Sequence, residues 1–290
     1  MVHRPGSGGS SDPTRRGSAG DAEEPQRDRT VGSLDLTHWY TPLGRALAAF
    51  VARVARGIGA RRALVAILVI GVAIAILLSF IASRIYDAVT ESDGVAGLDR
   101  PLLDVAIRLR SPLANSIVTG YTDIAGPIGM PVIAVVAILV LSLRRRSWTP
   151  AILIAAAGLG SLAMTIGGKD IIDRDRPPLI DAVRPFEFSP SFPSGHTLNA
   201  TVIAGVVAYL LVLRQQTLAA RTLTIAVAAV FAVSIGLSRV YLGHHWFTDV
   251  LAGWALGLAW LALVVTAHRL YITVRAAGIP QEPPGPGAGR

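Results

Sequence analysis

The chain has 290 residues, of which 52% are hydrophobic and only 16% charged, with a mean hydropathy of +0.52. Such a balance excludes an ordinary soluble domain and points to a membrane protein. The absence of cysteine excludes disulfides and cysteine-ligated metal or redox centres, and the net charge of +8 comes from arginines that flank apolar runs instead of forming one nucleic-acid-binding face.

Residues 1 to about 35 are rich in Gly, Ser, Pro, Arg and Asp, and read as a disordered tail. The first long apolar run begins near Ala63, too late for an ordinary signal peptide. Six candidate membrane spans follow, at about 63–83, 127–143, 148–167, 197–213, 220–237 and 247–267. Pro127, Gly129 and Pro131 blur the start of the second, and the glycines of the third suit tight helix packing. Between the first two spans, residues 97–110 place Leu98, Leu102, Val105 and Leu109 at helical spacing, with Asp99, Asp104, Arg108 and Arg110 off that stripe. The segment reads as an amphipathic helix at the interface, packed on the bundle or helping to admit lipid. Residues 277–290, rich in Pro and Gly, read as a second disordered tail. The expected architecture is all-α: an integral membrane bundle of six transmembrane helices over 36–276, with an interfacial amphipathic helix.

Arginine placement sets the expected orientation. Arg53, Arg56, Arg61 and Arg62 precede the first span; Arg144, Arg145 and Arg146 join spans two and three; Arg214 and Arg221 bracket the next loop, and Arg269 and Arg275 follow the last span. With six spans all of these lie on one side, so both termini are cytoplasmic and the loops at 84–126, 168–196 and 238–246 face outward. Lys169, Arg174, Arg176, Arg184 and Arg239 then stand on the side where the chain otherwise uses few cations. An anionic ligand accounts for them.

Three stretches carry the chemistry. In Lys169–Pro177, Lys169 and Arg176 are seven residues apart, two turns on one face if the segment is helical, and can clamp a phosphate. The plain alternative is a solvated loop in which Asp170, Asp173 and Asp175 pair with the bases. Lys169 is the only lysine in the chain, a compact ammonium where every other basic side chain is a guanidinium.

The second stretch, Pro193-Ser194-Gly195-His196, opens a helix. Free N–H groups there favour an anion, Ser194 adds a hydroxyl, Gly195 permits close approach, and His196 can donate a proton to a leaving oxygen. Its alternative is an ordinary helix start with Ser194 as cap. In the third, Ser238–Asp249, Arg239 supplies a cation. His245 and Asp249 are four apart, so the carboxylate can fix one imidazole nitrogen and free the other to attack. An acidic residue inside an apolar span needs a partner, which makes Asp249 a functional candidate. His244 lacks the four-residue spacing and reads as an interfacial histidine. A metal site from His196, His244, His245 and Asp249 is disfavoured by the surrounding arginines.

Together these stretches resemble the type 2 phosphatidic acid phosphatase (PAP2) superfamily. Its pattern is Lys, six residues, Arg-Pro; then Pro-Ser-Gly-His; then Ser-Arg, five residues, His, three residues, Asp. Lys169, Arg176, Pro177, Pro193, Ser194, Gly195, His196, Ser238, Arg239, His245 and Asp249 match every position, over a motif core of 169–249. The resemblance implies a lipid-phosphate phosphatase without metal or other cofactor. His245 is then the nucleophile that becomes a phosphohistidine, Asp249 its orienting acid and His196 the acid and base. Lys169, Arg176, Ser194, Gly195 and Arg239 hold the phosphoryl oxygens.

The implied site faces the outside of the cytoplasmic membrane. Its substrate is a lipid phosphate in the bilayer, either a polyprenyl diphosphate of undecaprenyl type or phosphatidate or phosphatidylglycerol phosphate, with the outward site favouring the polyprenyl carrier. A phosphotransferase that passes the group to an alcohol, and a non-catalytic transporter or structural protein, are the alternatives. The family's soluble vanadium-dependent haloperoxidases fit poorly with six apolar spans.

Overall fold

The computed structural model describes residues 27–59 and 95–277, with a few single positions between 62 and 71. The expected span at 63–83 and the tails 1–26 and 278–290 therefore fall largely or wholly outside the described residues.

Helices dominate. A β-hairpin, β1 (Thr30–Val31) and β2 (Leu34–Asp35), precedes α1 (Pro42–Ile58), then α2 (Asp99–Arg108), α3 (Pro112–Asp123), α4 (Gly129–Arg145), α5 (Thr149–Ile172), α6 (Gly195–Val212), α7 (Leu218–Tyr241) and α8 (Phe247–Ala277). Four described helices are long and apolar enough to cross a membrane: Thr149–Ile172, Gly195–Val212, Leu218–Tyr241 and Phe247–Ala276. At 17 residues, α4 is about 26 Å long, the lower limit for a span. The segments expected at 127–143, 148–167, 197–213, 220–237 and 247–267 are all helical, the first four within about five residues of their expected bounds and the last continuing ten residues further, to Ala277.

The core lies where α5, α6 and α8 meet, around Leu153, Ile154, Leu198, Val206, Leu210, Trp260 and Val264. Lipid-facing sides stay apolar, as on α7, where Leu223, Val227 and Val230 are exposed. Small residues let the backbones close up. A Cβ at Gly168 of α5 would lie 2.5 Å from Pro193 Cδ, so only glycine lets the end of α5 meet the start of α6.

Two expectations are corrected. Residues 30–35, read as part of a disordered tail, form the hairpin, with Thr30 opposite Asp35. Gly32 takes the turn at φ +63°, Arg29 pairs with Asp35 at 2.8 Å, and Val31 and Leu36 pack on the core. Buried Asp28 then pairs with Arg145 at 3.2 Å and Arg214 at 3.0 Å. Composition concealed this, because the hairpin needs only two apolar contacts and one buried ion-pair cluster.

The interfacial segment is helical as expected, and its apolar stripe is turned outward, which corrects the alternative that packs that stripe on the bundle and not the interfacial reading. Leu98, Val105 and Leu109 are exposed, while Asp99, Leu103 and Ala106 are buried. A buried carboxylate won that face because it has partners waiting in the site.

Candidate functional site

The site lies at one end of the bundle, where α5 ends, α6 begins, α7 ends and α8 begins. Lys169 sits on the last turns of α5, which stops at Ile172 with Asp173 in the left-handed region at φ 45°. The helix thus ends before Arg176, so the two cations do not share a helical face as the spacing suggested. A returning loop, 173–194, brings them together instead. It is tied down by Ser191 N–H to the Arg174 carbonyl at 2.7 Å and Val183 N–H to the Leu242 carbonyl at 2.8 Å. Both cations then meet Ser189: Lys169 Nζ donates to its Oγ at 2.9 Å and Arg176 Nη2 at 3.1 Å.

Ser194 precedes the first turn of α6 and makes no side-chain cap bond, so the N–H groups of that turn remain free to meet an anion. Its hydroxyl accepts from Thr197 Oγ1 at 2.9 Å. Its N–H donates to the Asp249 carbonyl at 3.2 Å, joining the second stretch to the third. A Cβ at Gly253 would lie 3.1 Å from the Ser194 carbonyl, so α8 approaches this turn closely.

His245 stands two residues before α8, not on it, and is 2% exposed. Its Nδ1 faces Asp249 Oδ2 at 3.7 Å, and its Nε2 lies 3.3 Å from Arg176 Nη1. The acid therefore backs one nitrogen while the other points to the cations. Burial, against the pull of Asp249, lowers the His245 pKa to about 4, with Arg176 adding to the fall. The ring is neutral at neutral pH, as a nucleophile requires. Burial and the nearby arginines also lower His244. Its Nε2 donates to the Val183 carbonyl at 2.7 Å, and its own carbonyl accepts from Arg176. The interfacial histidine is thus a buried brace for the site.

Four residues were missed by the spacing argument. Ser191 donates to Asp249 Oδ2 at 2.5 Å and lies 3.4 Å from His245 Nδ1. Arg174 donates to Asp249 Oδ1 at 2.5 Å and to Asp99 Oδ2 at 2.8 Å. Asp99 also accepts from the Thr248 N–H at 2.8 Å and hydroxyl at 2.7 Å. Glu187 pairs with Arg176 at 2.9 Å and, more closely, with buried Arg239. Only Arg174 carried a signal, as a cation on the sparsely charged side. Among the described residues, no group of three or more His, Asp or Glu side chains converges as metal ligands.

A cavity of about 840 Å³ opens from this cluster. Lys169, Arg176, Glu187, His196 and His245 line its polar end. Ala134, Val135 and Ile138 of α4 and Ile154, Leu159 and Leu162 of α5 line the rest. The space is shaped for an anionic head on an apolar tail. Spanning helices with a cationic, imidazole-bearing pocket at one end describe the class of membrane lipid phosphatases.

Comparison with known proteins agrees. The PAP2 superfamily pattern matches residues 148–272. Phosphatidylglycerophosphatase B of Bacillus subtilis (strain 168) is 33% identical over 187 residues, covering 64% of this chain and 90% of that relative. The crystal structure of a transmembrane PAP2 type phosphatidylglycerolphosphate phosphatase from Bacillus subtilis matches with a TM-score of 0.58 at 31% identity, over 65% of this chain and 93% of that one. The chain belongs to the PAP2 superfamily and is a membrane lipid phosphatase.

Proposed function

We propose that the protein removes phosphate from a phospholipid monoester of the phosphatidylglycerol phosphate type, through a phosphohistidine on His245. The observation that carries this reading is the single cavity joining Lys169, Arg176, His196 and His245 to an apolar slot between α4 and α5. A lipid's phosphate sits among the cations while its chain lies in the slot. The name of the matched relative favours this substrate over the polyprenyl diphosphate suggested by an outward-facing site.

In the first step His245 Nε2 attacks phosphorus, the bond to the lipid oxygen breaks, and His196 gives its proton to that oxygen. In the second, His196 takes a proton from water, the hydroxide attacks the phosphohistidine, and phosphate leaves with His245 restored. Asp249 holds the Nδ1 proton and stabilises the charge that grows on the ring. Lys169, Arg176, Arg239, Ser194 and the Gly195 N–H neutralise the phosphoryl oxygens. No metal or other cofactor enters this scheme.

Six spans complete the bundle in this reading. Arg145 and Arg214 lie at the end of the bundle away from the site, which supports cytoplasmic termini and a site on the outer face. Phosphate release from a panel of phosphatidylglycerol phosphate, phosphatidate, polyprenyl diphosphate and a soluble ester tests the assignment, with His245→Ala alongside. Fastest release from phosphatidylglycerol phosphate supports it. Preference for the diphosphate favours the polyprenyl reading, and product appearing only with an added alcohol favours a transferase.

A further inference from the structure

One short loop engages all three side-chain cations of the phosphate cradle. Glu187 pairs with Arg176 Nη2 at 2.9 Å through Oε2, and with Arg239 Nη2 through Oε1. Ser189 follows, its carbonyl accepting from Arg176 Nε at 2.6 Å and its hydroxyl from Lys169 Nζ at 2.9 Å. The Pro190 carbonyl accepts from Lys169 as well.

Glu187 also lines the cavity beside His196 and His245. Burial opposes its ionisation, but Arg239, then His245 and Arg176, overcome it and hold the carboxyl at about 2. A carboxylate resting on two guanidiniums reproduces the oxygen pair and charge that a bound phosphate would present. It also supplies the counter-charge that buried arginines need while no ligand is present.

We propose that Glu187 is a built-in stand-in for the substrate phosphate, and that the headgroup binds by displacing its carboxylate from Arg176 and Arg239. This rests on the assignment of Lys169, Arg176 and Arg239 as the phosphate cradle. The exchange imposes a charge threshold. A phosphomonoester carries about −1.5 to −2 at neutral pH and so outcompetes a carboxylate of charge −1. A phosphodiester carries only one negative charge and gains nothing by the exchange. Bulk bilayer phospholipids are phosphodiesters, so Glu187 keeps the site from filling with lipids it cannot cleave. Phe188, the next residue of the loop, is 83% exposed and also stands on the cavity wall.

The test uses full-length Glu187→Gln and Glu187→Ala proteins in mixed micelles, with inorganic phosphate and phosphatidylglycerol as inhibitors of phosphatidylglycerol phosphate hydrolysis. The proposal expects the inhibition constant of phosphate to fall about tenfold or more in Glu187→Ala. Phosphatidylglycerol should inhibit the variants and spare the wild type. Glu187→Gln keeps the side-chain shape and reads the charge alone should the alanine protein misfold. Weaker phosphate inhibition together with a lower kcat in the variants would overturn the proposal, because Glu187 would then only position the arginines. Wild-type turnover that inorganic phosphate does not inhibit would overturn the cradle assignment itself and this proposal with it.

Discussion

Arg174 Nη1 donates to Asp249 Oδ1 at 2.5 Å while its Nη2 donates to Asp99 Oδ2 at 2.8 Å. The carboxylate behind His245 is thereby tied, through one guanidinium, to a helix that lies 150 residues earlier in the numbering (Asp99 to Asp249). Removing one partner of a buried pair strands the other charge. Arg174→Ala should lower kcat by about 10- to 100-fold with a smaller effect on KM, since Arg174 lines up the acid and touches no substrate. Arg174→Lys should recover part of the loss. Equal changes in kcat and KM would place Arg174 on the substrate instead.

Ser191 offers a finer probe of the same carboxylate. Its hydroxyl donates to Asp249 Oδ2 at 2.5 Å, and Asp249 also accepts from the Trp246 N–H at 2.9 Å. Ser191→Ala leaves the other bonds in place, so kcat should fall about tenfold, the scale of one hydrogen bond to a charged group. A steady-state comparison of the two proteins reads it, and an unchanged kcat would remove Ser191 from the account.

His245 titrates at about 4 in the free protein because burial outweighs Asp249. A lowered histidine pKa means the ring stays neutral as pH falls through 6.5 and gains its proton only near 4, so the nucleophile survives mild acid. NMR titration of histidine-labelled protein without substrate should show one ring protonating near pH 4, absent from His245→Ala. Protonation of that ring near 6.5 would contradict the buried geometry.

The apolar slot is open to steric test. A Cβ at Gly158 would meet only Ile203 Cδ1, at 3.6 Å, so a larger side chain fits there and fills space that the lipid chain needs. Gly158→Leu should raise KM for a long-chain substrate about tenfold and leave hydrolysis of a short soluble ester unchanged. Equal damage to both substrates would argue against the slot.

At the far end of the bundle Asp28 is fully buried and pairs with Arg145 and Arg214. Asp28→Asn should cost about 3 kcal/mol of stability, seen as a lower unfolding temperature in detergent, with KM unchanged. A shifted KM with unaltered stability would mean that the hairpin reaches the site.

Local sequence carried the helices and the motif positions, because hydropathy sets the helices and short spacing sets the motifs. Lys169, Arg176, His196 and His245 line one cavity as their motifs suggested. What local sequence could not convey was who answers their charge. Glu187, Arg174 and Asp99 have ordinary neighbours in the chain and become partners only when loop 173–194 folds back over α8. The face of α2 that packs on the bundle was hidden for the same reason, since apolar spacing ranks leucines and cannot see that Asp99 has Arg174 and Thr248 to meet.

The most direct test of the central claim is acid-sensitive trapping of the covalent intermediate. Protein mixed with substrate is quenched within milliseconds in base, which preserves phosphohistidine, and digested for mass spectrometry. The account predicts a phosphoryl group on His245 that disappears in His245→Ala together with turnover. Turnover persisting in His245→Ala, or a phosphoryl group found on another residue, would contradict it.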